Sequence, residues 1–144
     1  MLRKITDANL EKRILFLGKK PFEDLPKLFK GMSVVAALSR NEGYGLTPLE
    51  GMASGAAVLT SSEGVWDELV RDGIDGYVVK TNDVFQTSER LNTLIENSSK
   101  TKIMGENAAK YISENFSVEK EAEQIIQHIR YVPVSYTHLR AHET

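Results

Sequence analysis

Short, uninterrupted apolar runs constrain the fold of this 144-residue chain more than any other feature of its sequence. Four such runs occur: ILFL at 14–17, VVAAL at 34–38, AAVLT at 56–60 and GYVV at 76–79. Apolar runs without polar alternation are typical of strands buried on both faces of a parallel sheet. Helix-like segments at 22–30 and 66–71 separate them, which favours βαβ units with right-handed crossovers. The sequence therefore predicts an α/β fold with a Rossmann-like parallel sheet flanked by helices, and it places the run 34–38 in the centre.

The last part of the chain has a different pattern. Apolar residues recur at helical spacing over 84–96, 102–115 and 118–129, and Ser117 is a suitable N-cap for the third helix. Residues 132–144 lose this periodicity, contain His138 and His142, and resemble the translated read-through of a sequencing adaptor. We therefore expect one domain over 1–131, incomplete at the N-terminal edge of its sheet, followed by a disordered, non-native tail over 132–144.

Composition excludes several classes of protein. The absence of cysteine rules out disulfides and thiolate metal sites. A formal net charge of -2 gives no electrostatic argument for nucleic acid as a partner. The first residues are charged, unlike a signal peptide, and no apolar run approaches the roughly 20 residues of a transmembrane helix. These features predict a cytoplasmic protein.

The stretch NEGYGLTPLEGMASG at 41–55 combines turn-forming residues with the start of a helix. Thr47 followed by Pro48 predicts a hydroxyl cap and a proline at the first helical position, and Gly55 suits the end of that helix. Gly43, Tyr44 and Gly45 form a loop whose backbone N–H groups can approach a ligand closely. A glycine loop that leads from a buried strand into a helix is a suitable site for phosphates.

Two glutamates flank this predicted phosphate site. Glu42 is expected at the carboxyl end of the preceding strand, and Glu50 in the first turn of the helix. Carboxylates repel phosphate, so they are expected to bind hydroxyl groups on either side of it. A molecule with a central diphosphate and hydroxyl-bearing rings at both ends is a nucleotide sugar. The residues therefore predict a nucleotide-sugar site.

Residues 41–79 resemble the donor-binding region of the retaining glycosyltransferases with two Rossmann-like domains, the GT-B fold, in family 4. The motif E-G-[FY]-G-L-x-x-x-E is present as EGYGLTPLE, and the run ELVRDGIDGYV follows at 68–78. The resemblance extends over about 10–131 and is nearest to mannosyltransferases of lipopolysaccharide core assembly. It implies that this domain is the C-terminal half of a GT-B fold.

The resemblance also implies roles for individual residues. Glu42 would be the catalytic residue, in contact with the donor sugar near its reacting carbon, and Glu50 would hold the ribose hydroxyls. The backbone of Gly43, Tyr44, Gly45, Leu46 and Thr47 would bind the diphosphate. No D-x-D motif occurs, so no metal or other cofactor is expected. The complete enzyme would transfer mannose or glucose from a GDP- or UDP-sugar to a glycan or glycolipid, with retention of configuration.

Parts of the family pattern are missing from this chain. The family's Arg and Lys for the diphosphate, and its acceptor-binding N-terminal domain, have no counterpart here, so the chain alone is expected to be inactive. The complete protein could lie at the inner face of the membrane, where a glycolipid acceptor would be. A stand-alone nucleotide-sugar-binding module or pseudo-enzyme is the alternative. A dinucleotide-binding domain of the dehydrogenase type is less favoured, because no G-x-G-x-x-G follows the first apolar run.

Overall fold

The sheet of the computed structural model, which describes residues 10–41, 43 and 45–131, contains three parallel strands. They are β1 (Val34–Ala37), β2 (Ala57–Ser61) and β3 (Gly76–Val79), in the spatial order β1-β2-β3. Val35 is paired with Val58, and Leu59 with Tyr77. The predicted parallel α/β architecture is confirmed.

Six α-helices accompany the strands in the described part of the chain. They are α1 (Leu25–Lys30), α2 (Thr47–Ala53), α3 (Trp66–Leu69), α4 (Val84–Glu96), α5 (Ser98–Asn115) and α6 (Val118–Tyr131). A short 3-10 helix, Phe22–Asp24, precedes α1. The predicted bounds of α4 are confirmed, while α5 begins four residues earlier than its periodicity indicated, at the Asn97 cap. At the start of α6, the Ser117 hydroxyl accepts a hydrogen bond from the Lys120 N–H at 3.2 Å, as predicted.

Two predictions about the sheet are wrong. Residues 14–17 are not a strand, and β1 lies at the edge of the described sheet, while β2 occupies its centre. A strand needs a neighbour for its backbone hydrogen bonds, and the described residues provide none for this run. Leu15 is 80% exposed. The strand order β1-β2-β3 follows the chain, so each later strand adds on the same side and β1 stays at the edge.

The start of α2 also differs from its prediction. The helix begins at Thr47 rather than after it, Leu46 is the capping residue, and no side-chain hydrogen bond caps the helix. The predicted Thr47 hydroxyl cap is therefore wrong, although Thr47 and Pro48 do open the helix. Gly55 follows the end of α2 with φ of +86°, which is the left-handed conformation predicted for a glycine after a helix.

The core consists of two apolar clusters, one on each face of the sheet. Helices α2 and α3 cover the first face with Met52 and Trp66, against Val35 and Val58. On the other face Leu94 of α4 and Met104 of α5 pack against a set made of Ala57, Leu59, Tyr77 and Val79. The strands β2 and β3 are thus covered on both sides, as uninterrupted apolar runs predict.

A buried carboxylate holds the connection into β3. Asp75 is fully buried, and its two oxygens accept hydrogen bonds from the Arg71 Nε at 2.7 Å and the Arg71 Nη2 at 2.6 Å. The guanidinium carbon also lies 4.5 Å from the centre of the Tyr111 ring. The hydrogen bond to Asp75 raises the pKa of Arg71, since it favours the charged form. This ion pair joins the α3–β3 connection to α5.

Candidate functional site

The loop from β1 to α2 carries most of the predicted site. Of its predicted residues, Glu42 and Tyr44 lie outside the described residues, so the catalytic role of Glu42 and its place at the strand end stay predictions. Gly43 is exposed, and a Cβ placed on it would meet no other atom within 4 Å. Gly45 has φ of +26°, and Leu46 is 63% exposed. The described part of this loop therefore leaves open space around its backbone.

Glu50 lies in the first turn of α2, half-buried, as the sequence predicted. It lines a recess of about 230 Å³ between α1 and α2, which we call the apolar recess. The other lining residues are mostly apolar: Phe22, Leu25, Pro26, Phe29, Ala53 and Ser54. Phe22 is 77% exposed, so its ring is accessible to a ligand. A carboxylate beside an apolar recess can bind hydroxyl groups of a molecule whose flat, apolar part enters the recess.

A second recess, of about 200 Å³, lies where the three strands end, and we call it the strand-end recess. It is lined by residues that follow or close each strand and by the first turns of α4: Leu38, Ser39, Arg40, Ser61, Val79, Lys80, Thr81, Asn82, Asp83, Val84 and Thr87. The Ser61 hydroxyl donates a hydrogen bond to the Ser39 carbonyl at 2.6 Å, which joins the ends of β1 and β2. Open α/β sheets bind ligands at this edge.

Other residues singled out in the sequence have mainly structural positions. Trp66 and Tyr77 are buried in the two clusters and belong to the core. The Asp72 carboxylate accepts a hydrogen bond from the Val78 N–H at 2.9 Å, and Glu68 is exposed. His138 and His142 lie outside the described residues, as does the whole predicted tail. Within the described ranges, no three Asp, Glu or His side chains are grouped as a metal site would require.

The two recesses contain residues that sequence reasoning missed. Phe22 and Phe29 were predicted only as part of a helix, because nothing in the sequence places that helix beside Glu50. The sequence alone does not bring Arg40 and Lys80 together, because they are 40 positions apart and only the parallel pairing of the strands brings the strand ends to one edge. The signal that could have found them is their place directly after two predicted strands.

No helix in the described part of the chain has the length and apolar character needed to cross a bilayer.

The family model for glycosyl transferases group 1 matches residues 1–111. Among similar proteins, the lipopolysaccharide core biosynthesis mannosyltransferase LpcC of Rhizobium leguminosarum bv. viciae is 39% identical over 121 residues, which are 84% of this chain and 34% of that protein. The mannosyltransferase LpsB of Rhizobium meliloti, named for the same biosynthesis, is 30% identical over 85% of this chain and 35% of its own length. The chain thus spans about a third of the length of these relatives.

Solved structures similar to this chain include glycosyltransferases. The C-terminal domain of a group 1 glycosyl transferase, LpcC from Francisella tularensis, has a TM-score of 0.76 and 29% identity, over 81% of this chain and 60% of that one. Anabaena HepE in complex with UDP has a TM-score of 0.81 and 30% identity, over 90% of this chain and 35% of that one. The fold is that of the C-terminal domain of a GT-B glycosyltransferase, and the resemblance to lipopolysaccharide-core mannosyltransferases is confirmed. The chain belongs to the group 1 family of glycosyl transferases.

Proposed function

We propose that this chain is the donor-binding part of a retaining hexosyltransferase and holds a nucleoside diphosphate sugar along α2. The observation that carries the proposal is the position of Glu50 at the apolar recess, in the turn that follows the glycine loop. A nucleotide has its ribose hydroxyls next to its base. One carboxylate beside an apolar recess therefore matches the nucleoside end of such a donor.

The apolar recess would receive the base. Base faces pack well on aromatic rings, at about 1–3 kcal/mol per stacked base, and the exposed ring of Phe22 offers such a surface. Glu50 would accept hydrogen bonds from the two ribose hydroxyls, which are the only strong donors on that sugar. Stacking is tolerant of base identity, so the recess accommodates uracil or guanine.

The diphosphate would lie over the loop that contains Gly43, Gly45 and Leu46 and over Thr47 at the start of α2. The loop and the start of α2 offer backbone N–H groups, apart from Pro48, and Gly43 leaves space for phosphate oxygens beside its backbone. Backbone donors, supplemented by the family's Arg and Lys in a longer protein, would neutralise the leaving group. No metal ion is required in this scheme, in line with the absence of a D-x-D motif in the sequence.

In the proposed reaction the acceptor hydroxyl attacks the anomeric carbon from the face that the diphosphate leaves. The carbon–oxygen bond to the phosphate breaks, a new bond to the acceptor oxygen forms, and the acceptor's proton goes to the departing phosphate oxygen. Configuration is therefore retained. The protein would contribute positioning and electrostatic stabilisation of the leaving group, with Glu42 beside the donor sugar.

The names of similar proteins suggest the sugar and the acceptor. The LpcC and LpsB relatives are mannosyltransferases of lipopolysaccharide core biosynthesis, and HepE has been solved with UDP-glucose. We propose a hexose donor, GDP-mannose or UDP-glucose, and a glycan or glycolipid acceptor. With a glycolipid acceptor, the complete enzyme would work from the cytoplasm at the inner face of the membrane.

Exposed apolar surfaces support the proposal that an acceptor-binding domain joins this one. Val118, Ile125 and Ile126 lie on one side of α6 at helical spacing and are 78%, 53% and 50% exposed. Strand β1 has a partner on one edge only within the described chain. A cleft between this domain and a second one would exclude water from the reacting carbon.

Replacing Glu50 with Gln is expected to weaken UDP or GDP binding by about 1–3 kcal/mol, since a carboxylate accepts hydroxyl hydrogen bonds more strongly than an amide. Isothermal titration calorimetry measures the difference. Glu68→Gln is the matched control, because Glu68 is also an acid in the first turn of a short helix but is exposed and away from the apolar recess. Equal losses in the two variants would rule out a specific role for Glu50.

The chain alone is expected to bind a nucleoside diphosphate weakly and to transfer no sugar. The glycine loop and Glu50 supply some affinity, but efficient transfer needs a second wall that closes the cleft and further cations for the diphosphate. Calorimetry with UDP and GDP, and a transfer assay with both sugar donors, test this. Measurable transfer would refute the dependence on a second domain. Tight binding without transfer would favour the stand-alone module.

A further inference from the structure

The strand-end recess lies on the face of the sheet opposite α2. Side chains alternate along β2, so Ser61 faces the same side as Leu59, in the cluster that α4 and α5 cover. Glu50 and the apolar recess belong to α1 and α2, which pack on the other face. The two recesses are therefore separate cavities that open at different places on the domain.

Positive charge is in excess in the strand-end recess. Arg40 and Lys80 line it, against one carboxylate, that of Asp83. An oxygen of Asp83 accepts the Gln86 N–H at 2.9 Å as the cap of α4, so this oxygen has a hydrogen-bond partner. Its negative charge remains, and the two cations of the recess still exceed it. The Lys80 N–H donates to the Gln86 side-chain oxygen at 2.8 Å, which fixes the backbone where the lysine side chain begins.

A buried hydroxyl in the same recess has no partner. The Thr81 Oγ1 is inaccessible to solvent and makes no hydrogen bond within the described residues. Leaving such a group unpaired costs about 1–3 kcal/mol, and a ligand oxygen in the recess that Thr81 lines would accept its proton. Two cations and a hydroxyl donor around one small cavity are the groups that recognise an oxyanion.

We propose that the strand-end recess binds an oxyanion, a phosphate or a carboxylate, held by Arg40, Lys80 and the Thr81 hydroxyl. The site does not depend on the nucleotide assignment, because none of these residues lines the apolar recess. In a longer protein the anion would come from an acidic group on the acceptor or from the donor's diphosphate, and the second source would place the diphosphate in this recess instead of over the loop before α2.

The test is a titration of the full chain with inorganic phosphate. Binding is monitored by amide NMR shifts and by thermal unfolding, and sodium chloride at matched ionic strength is the reference. Saturable shifts are expected at Arg40, Lys80 and Thr81. Arg40→Gln and Lys80→Gln are each expected to weaken binding about tenfold, whereas Lys110→Gln, an exposed lysine on α5, leaves it unchanged. Equal affinities in all three variants, or shifts no larger than those with chloride, overturn the proposal.

Thr81→Val provides a second, sharper readout. Because the hydroxyl has no partner in the described structure, its replacement by a methyl group is expected to leave the melting temperature without phosphate unchanged or slightly higher. Phosphate binding is expected to weaken severalfold. A lower melting temperature with unchanged phosphate affinity would show that the hydroxyl serves the fold and would overturn its role in binding.

Competition with UDP distinguishes the two sources of the anion. If UDP displaces phosphate from the strand-end recess, the recess serves the donor's diphosphate. If UDP and phosphate bind together, it serves an acidic group of the acceptor. Glu50→Gln is expected to weaken UDP and leave phosphate binding intact, so a failure of the nucleotide site is distinguishable from a failure of this one.

Discussion

Replacing Arg71 with Met is expected to lower the free energy of unfolding by about 3 kcal/mol. The substitution keeps much of the side chain's length but removes the two guanidinium donors of the Asp75 carboxylate, which is fully buried and retains the backbone N–H of residue 71 at 3.3 Å. Breaking a buried ion pair on one side costs about 3–5 kcal/mol. The lower end applies because the Arg71 side chain is 43% exposed and water can reach part of the pair. Guanidinium chloride unfolding measures the loss.

Arg90→Met is the matched control for this experiment. Both arginines lie over a tyrosine ring with the guanidinium carbon 4.5 Å from its centre, Arg71 over Tyr111 and Arg90 over Tyr77. Only Arg71 also binds a buried carboxylate. Loss of the ring contact alone is expected to cost about 0.5–1 kcal/mol. In the double variant of Arg71→Met with Asp75→Asn, part of the loss is expected to be recovered, since no buried charge remains. Similar losses for the two arginines would contradict this account.

Replacing Gly105 with Ala is expected to destabilise the protein by about 3 kcal/mol, although alanine is the better helix former by about 1 kcal/mol. A Cβ at this position would lie 2.0 Å from the Gly55 carbonyl oxygen, where α5 crosses the turn between α2 and β2. That atom belongs to the backbone, so either α5 or the turn must move. Thermal and denaturant unfolding report the change.

Gly31→Ala tests whether the effect comes from the close contact rather than from the loss of a glycine. Gly31 follows α1 with φ of -86°, and an added Cβ would lie 3.5 Å from the Leu28 carbonyl oxygen, an ordinary contact. This substitution is expected to be nearly neutral. If Gly105→Ala were as harmless, α5 would have to pack less closely on the turn than the structure shows.

The site was predicted in part from sequence because its main features are local. Thr47 and Pro48 open α2 and Glu50 lies one turn along it, all of which follow from the spacing of a few consecutive residues. The exact start of α2 did not follow, because the capping residue is decided by the path of the loop before it. Glu42 and Tyr44 keep the roles that the family resemblance implies as predictions.

The apolar recess could not be predicted, because it depends on the packing of α1 beside α2. Phe22 and Glu50 are 28 positions apart, and nothing in the intervening sequence indicates that their helices adjoin. The strand-end recess is similar, since Arg40, Ser61 and Lys80 meet only through the register of three parallel strands.

The sequence by itself determined the α/β class, most of the helix bounds, the presence of a helix that opens around Thr47 and Pro48, and the family, since each of these depends on periodicity or on a short motif. The tertiary structure alone decided which strand is central, that residues 14–17 form no strand, and which distant side chains share a cavity. Strand pairing is a contact between segments far apart in the chain. The hydrogen bonds that select a neighbour come from the backbone, which is the same in every residue. Apolar runs therefore indicate segments suited to strands, but they do not indicate whether a neighbour is present or which strand it is.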